Sequence, residues 1–120
     1  MAFRVEISPR AYRDLDSIAT VIGESSSLEA ARKWFLAVLD AIDSLAQMPE
    51  RCSIVVDAQT PLERVRVLLY GRKNRSYKIY FCVQPETKTN GIVSVFHARH
   101  WARQSLSAYE LKQMTDEFRN

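Results

Sequence analysis

Apolar residues recur along this chain with two periods, and the switches between them divide it into elements. Phe3, Val5 and Ile7 alternate with Arg4 and Glu6, the two-residue repeat of a strand with one buried face. Ser8-Pro9 follows, a side-chain acceptor for open helix N–H groups and then a ring whose fixed φ suits the first helical position. Tyr12, Leu15, Ile18, Ala19 and Ile22 then recur at three- and four-residue steps, which predicts an amphipathic helix ending near Gly23. Ser26 and Glu29 have capping-box spacing. They predict a second, longer helix with Ala31, Trp34, Phe35, Val38, Leu39, Ile42, Leu45 and Ala46 on its stripe. The Ser-rich connection is short enough to make the pair an antiparallel hairpin. The second stripe is wide enough to touch both the first helix and a sheet. Each large side chain buried there stabilises by about 1.5–3 kcal/mol.

Pro49 and Pro61 bracket a connection in which Ile54-Val55-Val56 reads as a turn or a short edge strand. Three β-type runs follow. In the first, Val65, Val67 and Leu69 share one face and Arg64, Arg66 and Leu68 the other. In the second, Tyr77, Ile79, Phe81 and Val83 alternate with Lys78, Tyr80 and Cys82; the third spans 92–97. Loops at 71–76 and 85–91 suit antiparallel hairpins. The tail, from Ser105 or Ser107 to Phe118, reads as helical, with Leu106, Tyr109 or Glu110, Leu111 and Met114 near one side. The pattern predicts a single α+β domain over 1–120. Its mainly antiparallel four-stranded sheet is packed by an N-terminal helical hairpin, with a C-terminal helix. Arg66, Lys78, Tyr80 and residues of the last strand are expected to line the face that the helices leave open.

Charge sharpens this picture. The formal net charge is only +3, but residues 64–103 hold nine Lys/Arg against one acid, Glu86, a local balance of +8. The preceding stretch carries six basic and ten acidic residues, and the tail two and three. Such a field favours an anionic partner, nucleic acid or an acidic protein segment. No apolar run approaches the roughly 20 residues of a membrane helix, and the N-terminus has no signal-type apolar region. Cys52 and Cys82 lack CxxC spacing and read as reduced thiols in a cytoplasmic protein.

Several chemistries are missing. There is no GxGxxG, GxxxxGK[ST], HExxH or GxSxG, and no acidic pair among the basic strands, so no cofactor or metal is expected. His97 and His100, three apart on a strand, fall on opposite faces and make a poor ligand pair. What remains is Arg, Lys, His, Tyr and Trp. Metal-free RNA cleavage needs little more: cations to stabilise the phosphorane and a group to move a proton. The same residues equally make a plain binding surface. Arg66 and Lys78 are either phosphate ligands or a solvated sheet face, and His100 is either a proton carrier or a structural residue ending a strand.

The chain resembles toxins of the RelE/ParE superfamily of type II toxin–antitoxin systems over nearly its whole length. ISPRAYRDLDSIATVI and AARKWFLAVLDAIDSLAQMPERC resemble the helical hairpin of ParE-like members, and VRVLLYG, YKIYFCV and VSVFHARHWAR their three C-terminal strands. The resemblance implies a plasmid-stabilisation-type, growth-arresting toxin neutralised by a cognate antitoxin, an acidic amphipathic segment folded over the hairpin and sheet. Two mechanisms follow from it. RNA-cleaving members act as ribosome-dependent mRNA interferases through strand-borne basic residues and a late tyrosine. By position these fall on Arg64, Arg66, Lys78, Arg103 and Tyr109, with His100 as the alternative proton carrier. Several ParE-like members instead inhibit DNA gyrase without nuclease residues, and the long hairpin is typical of them. The chain departs from the nuclease pattern at Lys78, where arginine is usual, at Trp101, where a small residue is usual, and in a longer, more basic 71–76 loop.

Overall fold

The computed structural model describes residues 3–55, 65–71, 77–84, 91–100, 109–110 and 113–114. Arg64, Trp101, Arg103, the interiors of both strand-connecting loops and most of the tail lie outside them.

Strand β1 (Arg4–Ile7) leads into helix α1 (Pro9–Ser25) and then helix α2 (Leu28–Asp43). Ser8 caps α1 as its sequence suggests: its backbone is extended and its Oγ accepts from the Ala11 N–H at 3.1 Å. Helix α1 runs two residues past Gly23, and the cap of α2 is Ser27, one residue later than the Ser26–Glu29 spacing predicts. Ser27 Oγ accepts from the Ala30 N–H at 3.0 Å. Ser26 instead closes α1, its own N–H donating to the Ile22 carbonyl. Two serines side by side let one end a helix and the next begin another.

Two short 3-10 turns (Ser44–Ala46 and Pro49–Arg51) carry the chain to strand β2 (Ser53–Ile54). The Arg51 guanidinium ties these turns, donating to the Gln47 carbonyl at 2.6 Å and to Ser44 Oγ at 2.9 Å. Strands β3 (Val65–Tyr70), β4 (Tyr77–Gln84) and β5 (Ile92–His100) complete the sheet.

The sheet is five-stranded and mixed, in the order β1-β5-β4-β3-β2, not four-stranded. The extra member is β2, the short edge piece at Ser53–Ile54. The four C-terminal strands form an antiparallel meander, whereas β1 lies parallel to β5, with Ile7 opposite Val95. Neighbours so far apart in sequence pair through a long connection, here the helical hairpin together with strands β2 to β4, and the residue pattern carries no signal for it. Of the expected C-terminal helix, Tyr109, Glu110, Gln113 and Met114 are described, all with helical backbone.

Both faces of the sheet carry apolar clusters. Ala11 and Leu15 of α1, Val38 and Ile42 of α2, and Leu45 close on Ile79, Phe81, Val93, Val95 and Ala98. On the other face Val65, Tyr80, Cys82 and Phe96 pack with Met114 from the tail. No described helix is long and apolar enough to cross a membrane.

Candidate functional site

The strand register decides which predicted residues share a face. Arg66 lies opposite Phe81 and Lys78 opposite Leu69, with Leu68–Ile79 and Val67–Tyr80 between them. Residues directly opposite share a face, so Arg66 stands with Phe81, Ile79 and Leu68 on the helix side. Lys78 stands with Leu69, Tyr80 and Arg99 on the other. The expectation that Arg66 and Lys78 line one open face is therefore corrected. Its source is visible in the sequence: both sets of β3 positions are apolar enough to be buried, so alternation alone does not say which set meets the helices.

Arg66 is also occupied. Its Nη1 donates to the Cys52 carbonyl at 2.6 Å and to the Glu50 carbonyl at 3.0 Å, tying β3 to the turn before β2. Cys52 sits between Arg51 and Arg66, half-buried. Burial pushes its thiol above the ordinary 9.0, and the two arginines oppose that rise.

His100 pairs with Tyr77, its ring edge-on at 5.3 Å, on the face opposite Lys78. Tyr109 is 69% exposed, and its hydroxyl accepts from Gln113 Nε2 at 2.8 Å. Of the six predicted residues, Arg64 and Arg103 lie outside the described ones. The rest do not share one surface: Arg66 and His100 lie on the helix side, Lys78 on the other.

The described residues hold a different focus that sequence reasoning missed. The β1–β5 register ends at Ile7–Val95, and beyond it α1 flanks the last part of β5. There Asp14 Oδ2 accepts from His97 Nδ1 at 2.7 Å and from the Ala98 N–H at 3.2 Å. His97 is 7% exposed and leans on the Tyr80 ring at 5.9 Å. A carboxylate on Nδ1 leaves Nε2 as the second ring nitrogen to be satisfied, and Nε2 is buried with no hydrogen-bond partner. A β-bulge shifts the register between Tyr80 and Phe81, so that Phe81 faces Val95 and Tyr80 faces His97.

A cavity of about 460 Å³ opens here, lined by Asp14, Ile18, Tyr77, His97 and His100 among others. Both histidines thus line one space, although strand alternation separates them. Tyr77 also walls a second cavity of about 840 Å³, with Ile22, Ser25, Trp34, Tyr70 and Gly71. Rings run between the two: Tyr70 to Trp34 at 6.4 Å, Trp34 to Tyr77 at 5.1 Å, Tyr77 to His100 at 5.3 Å, all edge-on. The Trp34 indole N–H is buried without an acceptor, a state that costs about 1–3 kcal/mol. No group of three or more His, Cys, Asp or Glu among the described residues could hold a metal ion.

The family model for the ParE toxin of the type II toxin–antitoxin system parDE matches residues 5–100. A solved structure described as a chromosomal ParDE toxin–antitoxin system from P. aeruginosa superimposes with a TM-score of 0.59 at 16% identity, covering 82% of this chain and 96% of that one. At that identity the likeness concerns the fold. No curated protein matches the sequence. The family match runs from the first strand to the end of the last, through the hairpin and sheet described above, and on that ground the chain belongs to the ParE toxin family of type II toxin–antitoxin systems.

Proposed function

We propose that this protein is a growth-inhibiting toxin, held in check by a cognate antitoxin, that acts by binding its target and not by cutting RNA. DNA gyrase is the target that the ParE-like resemblance implies. The observation that supports binding over cleavage is the commitment of Arg66. Its guanidinium holds two main-chain carbonyls on the helix side of the sheet, while Lys78 stands on the other face. A phosphorane needs its cations converging on one set of oxygens, and these two do not converge. The 69% exposure of Tyr109 agrees with the reading, since a proton donor to a leaving oxygen works best where water is excluded.

The antitoxin surface follows from what the hairpin leaves uncovered. Val21, Leu28 and Leu36 are 61%, 84% and 53% exposed. An amphipathic antitoxin segment would cover such apolar positions while its acidic face met the basic strands.

Tyr109→Phe tests the mechanism. It removes the only group that the tyrosine could use for proton transfer and leaves the ring. The binding mechanism predicts unchanged growth arrest on induction. Loss of arrest in a variant that still folds and still binds antitoxin, together with codon-phased transcript ends produced by the parent alone, would restore the nuclease reading.

A further inference from the structure

Strand β5 outlasts its outer neighbour. The β1 register ends with Ile7 opposite Val95, and β5 runs on to His100. Ser8 gives its N–H to the Val95 carbonyl at 2.9 Å and then caps α1, which takes the chain off the sheet. Among the described residues no strand takes up the edge beyond that point. An unpaired edge is a template for another strand. On this stretch the Ala98 N–H goes instead to Asp14 Oδ2 at 3.2 Å. In an antiparallel ladder a residue turns its N–H and its C=O to the same side, so Ala98 presents its carbonyl to this edge as well. The Asp14 carboxylate, its side chain 24% exposed, thus stands where the carbonyl of an added strand would stand.

The edge also has room beside it. The cavity of about 460 Å³ is lined by four consecutive residues of β5, 97–100. A strand's edge lines a space in that way, whereas a face would offer only every second residue. Asp14, Ser17, Ile18 and Val21 of α1 form the opposite wall. With strands about 4.8 Å apart, layers about 10 Å apart and a rise of about 3.3 Å per residue, such a space holds about three residues of an added strand. A charged side chain turned in at an edge keeps strands from joining there.

We propose that Asp14 guards the end of β5 against a second copy of this chain, and that removing its carboxylate lets two copies pair antiparallel about Ala98. The occupant is a second copy because the edge is its own complement. Pairing centred on Ala98 makes the same N–H···O bond twice across a twofold axis. It sets Arg99 of each copy across from residue 97 of the other, so the two arginines do not meet. The inference does not rest on the proposed block on gyrase, and its test reads mass and not growth arrest.

Sedimentation velocity at about 1 mM protein detects an association as weak as millimolar. The parent should run as a 13.8 kDa monomer and Asp14→Ala at twice that mass. Asp14→Asn keeps an acceptor oxygen for the Ala98 N–H and should stay monomeric. His97→Leu removes the ring but leaves the carboxylate on Ala98, and it too should stay monomeric. Amide exchange places the contact: in Asp14→Ala the Ala98 amide should be protected at about 1 mM and lose that protection on dilution below the midpoint of association. Should Asp14→Ala fail to fold, Asp14→Ala/His97→Leu takes its place, since it removes the buried ring together with its partner. A monomer in whichever of these two folds overturns the guard. So does association of Asp14→Asn or His97→Leu to the same extent, or a dimer in which the Ala98 amide stays unprotected.

Discussion

Arg66→Ala is the most direct probe of how this sheet spends its cations. The substitution removes the donor shared by the Cys52 and Glu50 carbonyls. A hydrogen bond from a charged group contributes about 1.5–3 kcal/mol. The Glu50 contact is exposed, so water replaces most of it. The Cys52 contact is part-buried and 2.6 Å long, and it should carry nearly the full value. The expected loss is therefore about 2–3 kcal/mol. For a chain of this size 1 kcal/mol moves the melting temperature by about 4 °C, so Tm should fall by about 8–12 °C. Arg66→Lys keeps the charge but lacks the planar fork and should recover about half. Thermal unfolding followed by circular dichroism reads both, with urea midpoints as a check on two-state behaviour. A residue whose business is phosphate predicts the opposite pattern: full stability and lost toxicity. If Arg66→Ala melts within about 2 °C of the parent, the structural assignment of Arg66 is wrong.

Two other perturbations follow from the same geometry. Alkylation of Cys52 by iodoacetamide needs the thiolate, and burial raises its pKa above 9.0. The rate should therefore rise with pH along a curve displaced upward from a free thiol. Arg66→Ala, which removes one of the two opposing cations, should displace it further; a midpoint at or below 9.0 contradicts the burial argument. Gly91 precedes β5, and a Cβ there would lie 2.4 Å from the Phe3 ring and 2.9 Å from the Gln84 carbonyl oxygen. The ring can turn but the backbone cannot, so Gly91→Ala should destabilise by about 1–3 kcal/mol, visible as a lower urea midpoint; an unchanged midpoint would show that β5 has slack at its entrance.

Much of the fold is legible in the residue pattern, and the gaps have physical causes. Period and capping chemistry are local, so Ser8-Pro9, both helices and the three long strands can be read directly. The cap of α2 is displaced by one residue because Ser25, Ser26 and Ser27 offer the same hydroxyl at successive positions. The pairing of β1 with β5 is non-local, and nothing in RVEI or IVSV marks a partner. The site was harder still. Arg66 and Lys78 have the same chemistry in sequence, and the register that puts them on opposite faces shows only in the fold. Asp14 and His97 are 83 residues apart, and neither stands in a recognisable motif. The signal that was available is weak: Asp14 is an acid beside the apolar stripe of α1, and His97 a polar residue within the apolar run of β5.

The proposed function is that this ParE-family toxin blocks its target by binding. Binding is read most directly from the supercoiling of relaxed plasmid by DNA gyrase in the presence of the purified protein. A toxin that acts by binding gives inhibition that saturates with toxin, is relieved by the cognate antitoxin and persists in Tyr109→Phe. Undiminished supercoiling at saturating toxin, alongside codon-phased cuts in translated transcripts, would contradict it.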